Sequence, residues 1–419
     1  MGKTLMSYFK DWDSDDLAQL YVHTEIPTDD ICRNYFRITD KEMIKSIFTR
    51  KSGRIFSKGD INSTVVQART DTGKTAQLYQ KARKRTPFIY FARNLWWCLG
   101  KWKTKKLLNW IDEFNPDIIF LASGDYAFIY KMALKLAQYK KIPLVVSCMD
   151  DYYFHNLNEH RVGGKFVHKS FMRQVKKTMN YASCIYPICD KMSKRYETFF
   201  KKPCYTLHTG ATIEKPLRFT KTNEISYLGN LGYDRYKQLI TIGRYLKKIQ
   251  CENKPEYIDV YSGETRPEVL KDLTEENGIK FHGMVSAEQV LEITGKSLAV
   301  IHTESFDENI QKRVKYSVST KIADALASGT CLLAYGPKGI ASISYLQEND
   351  VAYCITSESE LEKGLLDLIE HADERNRIVN KALELARKNH NTEVNGAMLK
   401  ETMEKVCGKC ESFTSKLYL

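Results

Sequence analysis

Short apolar runs of strand length recur along this 419-residue chain, with stretches of helical periodicity between many of them. The strand-like runs lie at 18–24, 117–123, 142–148, 184–188, 224–230, 257–262, 279–282, 297–302 and 331–335. Apolar residues at helical spacing fill 126–139, 191–200, 235–249 and 320–328. This alternation constrains the fold strongly. Two neighbouring parallel strands need a crossover, usually a helix, and strands covered on both faces read as continuous apolar runs. A turn-rich bridge, Thr209-Gly210-Ala211-Thr212-Ile213-Glu214-Lys215-Pro216, splits the series in two. The pattern predicts an α/β chain of two doubly wound domains, 1–216 and 217–392. A last helix near 393–407, followed by a tail to 419, is expected to cross back to the first domain. Doubly wound domains bind ligands beyond the carboxyl ends of their strands, so two of them facing each other make a cleft.

No apolar run approaches the roughly 18 to 20 residues that a membrane-spanning helix needs. The opening Met1-Gly2-Lys3-Thr4-Leu5-Met6-Ser7 lacks the apolar stretch of a signal peptide. The chain has 11 cysteines, an odd number with no repeated spacing. Cys148, Cys184, Cys331 and Cys354 sit in apolar runs, where a free thiol packs as a small hydrophobe. A reducing, cytoplasmic setting is expected. Cys407 and Cys410 form one isolated pair, short of the ligand set that zinc requires, so no metal site is expected.

The net charge of +13 is concentrated in the first half. Residues 72–111 hold ten Lys or Arg and no acid, and residues 160–189 hold six and no acid. The first stretch also carries Trp96, Trp97, Trp102 and Trp110. Tryptophan among cations suits an anionic membrane surface, which predicts an interface over 80–110 anchored by Trp96 and Trp97. The competing readings are a core helix with a solvated basic face and a single-stranded nucleic-acid groove. For the latter no module signature is present, and no nucleic-acid partner is expected.

Two segments carry chemistry. In the first, Ile225-Ser226-Tyr227-Leu228 leads into Gly229-Asn230-Leu231-Gly232 and then Arg235 and Lys237, a strand, a glycine-bearing loop and a helix with cations in its first turn. Such a loop lets backbone approach a phosphate while Arg235 or Lys237 supplies charge. In the second, Ser319 or Thr320 caps a short helix holding Lys321 and Asp324, and a buried strand follows into Gly336-Pro337. The helix amides form an anion site with Lys321 beside them, and Asp324 is placed to accept ribose or sugar hydroxyls. Gly-Lys-Thr at 2–4 and 73–75 is not a phosphate loop, because Ala stands at 68 where glycine is required and the first copy has no room upstream.

This pair of segments resembles the donor-binding half of GT-B fold glycosyltransferases, in particular the retaining, family 4-like group of bacterial capsule and exopolysaccharide synthesis with its Lys-x-x-Glu-x-x-Ala-x-Gly helix. Phe114-Asn115-Pro116-Asp117-Ile118-Ile119-Phe120, Ile188-Cys189-Asp190-Lys191-Met192 and His208-Thr209-Gly210 resemble further segments of that family in the same order. The chain departs from the family in three places. Asp324 takes the place of the second of two spaced glutamates, and Tyr316 stands where the first would be. Glu304-Ser305-Phe306 resembles the usual opening of this motif with twelve extra residues, 307–318, before the helix, which makes Glu304 the expected first acid. Asp150 and Asp151 replace a histidine usual after a strand of the first domain, and a carboxylate there could orient or deprotonate an acceptor hydroxyl.

The resemblance implies a glycosyltransferase, and the tryptophan-rich basic stretch places it as a peripheral enzyme at the inner face of the cell membrane. It would move a hexose-like sugar from a nucleotide-diphosphate donor to a hydroxyl of a glycan, a lipid-linked polysaccharide precursor. Neither cofactor nor metal is required, since Arg235, Lys321 and the helix amides at 319–321 meet the charge of the leaving diphosphate. The alternatives are a sugar-nucleotide epimerase of the same fold and a catalytically inactive partner subunit. One further expectation concerns the start. A domain of this type begins with a buried strand, yet here helical spacing begins almost at Met1. The first strand is therefore expected to be missing, leaving a gap at the centre of its sheet and implying a reading frame that starts upstream.

Overall fold

A computed structural model describes residues 2–24, 27, 31–57, 86–156, 161–211, 213, 219–408 and 416–418. Lys74, Lys81, Arg83, Lys84 and Arg85 of the first basic stretch, half of the turn-rich bridge, and Cys410 lie outside the described residues. The chain divides into two compact units, one of 1–207 with 396–419 and one of 208–395.

The first unit is built on a seven-stranded sheet of β1 (Leu17–Tyr21), β2 (Asn34–Arg37), β3 (Arg54–Ser57), β4 (Ile118–Ala122), β5 (Leu144–Cys148), β6 (Cys184–Pro187) and β13 (Lys416–Tyr418). Their order is β3-β2-β1-β13-β4-β5-β6, and all pairings are parallel except β2 with β3. Every residue of β5 and β6 is buried, as a strand with helices on both faces requires. The expected gap at the centre is filled from the other end of the chain. Leu17 to Gln19 pair with Lys416 to Tyr418 on one side, and Ile118 to Phe120 pair with the same three residues on the other.

Helices are started by local side chains. Thr39 and Glu42 form a reciprocal capping box for the helix Asp40–Thr49. Thr86 caps the helix Pro87–Leu99, whose proline occupies the first turn, where no amide bond is lost. Thr104 caps the helix Lys105–Phe114. These last two helices correct one part of the membrane reading, its Trp97 anchor. Trp97, Trp102 and Trp110 are buried. The Trp97 ring stacks on Phe128 at 4.2 Å, and its Nε1 donates to Asp40 at 2.6 Å. Burial of so large an apolar ring with its single donor satisfied outweighs exposure at a surface, so Trp97 is no membrane anchor.

The second unit holds a six-stranded, wholly parallel sheet of β7 (Ile225–Leu228), β8 (Ile258–Tyr261), β9 (Ile279–Gly283), β10 (Ala299–Thr303), β11 (Cys331–Tyr335) and β12 (Tyr353–Ile355). The order is β12-β11-β10-β7-β8-β9. Apolar clusters cover both faces. One is centred on Leu239, Ile242, Ile258 and Leu365, the other on Ile322, Leu332, Ile343 and Leu346. The chain winds outward from β7 to β9, returns to the far side of β7, and winds the other way from β10 to β12.

Candidate active site

That reversal defines a place. Connections leave β7 and β10 in opposite directions, so a crevice opens between their carboxyl ends, the usual ligand position of a doubly wound sheet. The loop after β7 is shaped by short polar contacts. The Asn230 Oδ1 accepts from the Gly232 amide at 2.6 Å, and the Tyr227 hydroxyl donates to the Asn230 carbonyl at 2.6 Å. Tyr233 and Asp234 follow with φ of 57° and 56°, two consecutive non-glycine residues in the left-handed region. Such conformations are costly and gather at functional sites. The helix Arg235–Lys248 starts immediately after them.

Arg235 reaches across to the end of β10. Its guanidinium donates to both carboxylate oxygens of Glu304, at 3.0 and 3.2 Å, and its Nε donates to the Thr303 carbonyl at 3.2 Å. Glu304 is buried. Burial raises its pKa, and Arg235 opposes the rise. A buried pair of this kind holds its geometry because separating either partner leaves an uncompensated charge. Gly336, directly after β11, packs on the same residue, since a Cβ there would stand 3.1 Å from the Glu304 Cβ.

Lys321 comes from the helix Thr320–Ala327. The residue as a whole is accessible, but its amine lies over Gly229, where a Cβ would stand only 1.8 Å from Nζ. Only glycine leaves room for that amine in its present place. Desolvation first, and the Arg235 charge second, pull the Lys321 pKa down to about 8, while Asp324 one turn on acts in the opposite direction. No carboxylate lies within ion-pair distance of Lys321 among the described residues. Arg235 is ion-paired with Glu304, whereas Lys321 has no ion pair among the described residues and feels Asp324 only at longer range, so a cation without a directly paired carboxylate stands beside the glycine loop.

The structure thus brings together Gly229, Arg235, Glu304, Lys321 and Gly336. Lys237 is turned to a different task, pairing with Asp234 at 2.7 Å on an exposed surface. Ser319 stands at the helix N-cap without a side-chain capping bond, which corrects the expected hydroxyl cap. Asp324 is exposed on the same helix. The extra residues 307–318 form the helix Glu308–Val314, capped by Asp307, and they bring Arg313 over the Tyr233 ring at 5.5 Å. Sequence reasoning passed over His302. Its ring lies 3.4 Å from the Glu304 Oε1, and desolvation, then Arg235, then Lys321 push its pKa down to about 3, keeping the imidazole neutral.

Asp150 belongs to the first unit, where it follows β5 and accepts from the Tyr152 hydroxyl at 2.9 Å. Its neighbour Asp151 is buried and accepts from the Tyr196 hydroxyl at 2.9 Å and the Phe154 amide at 3.3 Å, a structural placement. Near them is a cleft of about 340 Å³, counting space open to solvent, lined by Tyr90, Asp125, Tyr152, His155, His168 and Phe171 among others. Asp125 and His155 follow the ends of β4 and β5, and that position was the signal available for them.

Comparison with known proteins agrees with this architecture. Residues 247–399 match the family profile described as glycosyl transferase-like. No curated protein matches the chain. Among solved structures, HepE of Anabaena in complex with UDP is 12% identical with a TM-score of 0.57, over 93% of this chain and 100% of that one. TarM of Staphylococcus aureus, a mutant form crystallised with UDP, is 13% identical with a TM-score of 0.52, over 72% of this chain and 58% of that one. Sucrose-phosphate synthase of Thermosynechococcus elongatus is 10% identical with a TM-score of 0.52, over 72% and 76%. At these identities the likeness carries the fold, and the chain has the α/β GT-B fold, with its glycosyl transferase-like segment lying almost wholly in the second unit.

Proposed function

We propose that the protein is a glycosyltransferase that uses a nucleotide-diphosphate sugar. The observation that carries this reading is the Lys321 amine, without an ion-pair partner among the described residues, over Gly229 and beside the Arg235–Glu304 pair, at the strand reversal of a parallel sheet. In the reaction the bond from the anomeric carbon to the diphosphate oxygen breaks, and its electron pair stays on that oxygen. Lys321, Arg235 and the first-turn amides of the helix Thr320–Ala327 stabilise the charge that develops there. The loop Gly229–Gly232 takes the phosphates, and Gly336 keeps backbone close to Glu304. The acceptor hydroxyl forms the new bond to the anomeric carbon, and Asp150 takes or orients its proton on the acceptor side. Retention of configuration follows the resemblance to the family. HepE and TarM were both crystallised with UDP, which supports a uridine donor here.

The acceptor is a glycan hydroxyl on a lipid-linked precursor, met peripherally at the membrane. No helix among the described residues is long and apolar enough to cross a membrane. A panel of nucleotide sugars incubated with the protein and membrane extract tests the reading. Release of nucleoside diphosphate with one donor supports it. Interconversion of sugars without release would point to an epimerase, and neither outcome to an inactive partner subunit.

A further inference from the structure

The helix Pro87–Leu99 buries Tyr90 and Trp97 on one face. Its opposite face exposes Phe88 by 77%, Phe91 by 49%, Leu95 by 46% and Leu99 by 62%. Spacings of three, four and four residues place these side chains in one stripe along the helix. Four large apolar groups in a row on a surface are not the scattered exposure that ordinary surfaces show. The helix packs against a second one, Gly164–Tyr181, and both contribute inward residues to the same cleft, Tyr90 from the first and Val167 and Phe171 from the second. The second helix turns Phe166 outward, 70% exposed, among Lys165, Lys169, Arg173, Lys176 and Lys177, all exposed. No acidic residue occurs in 86–111 or in 161–189.

We propose that the outer faces of these two helices form a docking surface for an anionic lipid bilayer. The apolar stripe enters the headgroup boundary and the lysines and Arg173 meet the lipid phosphates. Charge complementarity selects this occupant. A second copy of the chain on the same face would set one acid-free, cationic surface against another, and like charges repel. The proposal deepens the reading of a membrane-met acceptor and rests on it only for the biological purpose, because binding to lipid is measured without any transfer reaction.

The test is cosedimentation of the full chain with vesicles of phosphatidylcholine alone and with added phosphatidylglycerol. Binding is expected only to the acidic vesicles, with release as salt rises. The double variant Phe88→Ser/Leu95→Ser should bind at least tenfold more weakly, and Lys165→Glu/Lys169→Glu likewise, with far-ultraviolet dichroism and melting temperature unchanged. Equal binding of wild type and Phe88→Ser/Leu95→Ser, or no binding of wild type to acidic vesicles, would overturn the proposal. So would a concentration-dependent dimer in sedimentation velocity that Phe88→Ser/Leu95→Ser abolishes, since a second copy would then be the occupant. Vesicle binding without turnover on any nucleotide sugar would remove the enzymatic reading and leave the docking surface standing.

Discussion

Lys321 is the side chain whose removal should be felt most. Replacing it with alanine removes a charge-assisted contact of about 1.5–3 kcal/mol, so turnover should fall at least about tenfold while the fold stays intact. Gly229→Ala should give a similar loss without unfolding, because the flexible amine, and not backbone, must move aside. The depressed pKa adds a sign. On the proposed reading the protonated Lys321 amine binds the diphosphate and the neutral one does not, so UDP affinity should be highest below about pH 8 and fall as pH rises through it. Calorimetric titration from about pH 7.5 to 9.5 checks this. A flat profile in wild type, or an undiminished slope in Lys321→Arg, would exclude the lysine from the site. Arg235→Ala should reduce both turnover and stability, the latter by about 3 kcal/mol in urea melts, since it strands a buried carboxylate. Adding Glu304→Gln should recover stability without recovering turnover. Glu304 was legible from Glu304-Ser305-Phe306, and the structure shows its partner. His302 was not legible, because one histidine in an apolar strand reads as ordinary core.

At the scale of elements, all nine strand-like runs correspond to strands. The ones not foreseen among the described residues are β2, β3, β12 and β13: β2, β3 and β13 each hold only two adjacent apolar residues beside polar ones, and β12 is three residues long, so none makes an apolar run that stands above the background. The helix Pro87–Leu99 exposes a different limit. Phe88, Phe91, Leu95 and Leu99 on one face match Tyr90 and Trp97 on the other in apolar character, so periodicity names no inner face. Tertiary packing of Trp97 on Phe128 and Asp40 decides it. Thermal melts should show the difference. Trp97→Ala should cost about 3–5 kcal/mol through the cavity it leaves, whereas Phe88→Ala should stay within about 0.5 kcal/mol of wild type. The reverse ranking would mean that the helix is turned the other way.

For the whole molecule, two doubly wound units were readable from the alternation of strands and helices because each crossover needs its helix. The position of β13 was not. Lys416, Leu417 and Tyr418 pair with residues about four hundred and about three hundred positions away, and nothing local marks so distant a pairing. Removing 409–419 should leave β1 and β4 with open ladders, each buried unpaired group costing about 1–3 kcal/mol. Hydrogen exchange should then show lost protection in β1 and β4 and unchanged protection in β7 and β10. Unchanged protection in β1 and β4 would mean that β13 does not hold them.

A strand drawn from the chain's last residues also orders events on the ribosome. Domains ordinarily fold in turn as they emerge, the earlier before the later. Here the first unit emerges first, yet its sheet closes only after residue 418 has been made, whereas 208–395 is complete before then. At about 5–20 residues per second the wait is on the order of tens of seconds. Through that interval β1 and β4 present unpaired edges in a crowded cell, the condition in which strands pair wrongly. Newly made chains should therefore depend on a holding chaperone during synthesis of their second half more than finished protein does during refolding.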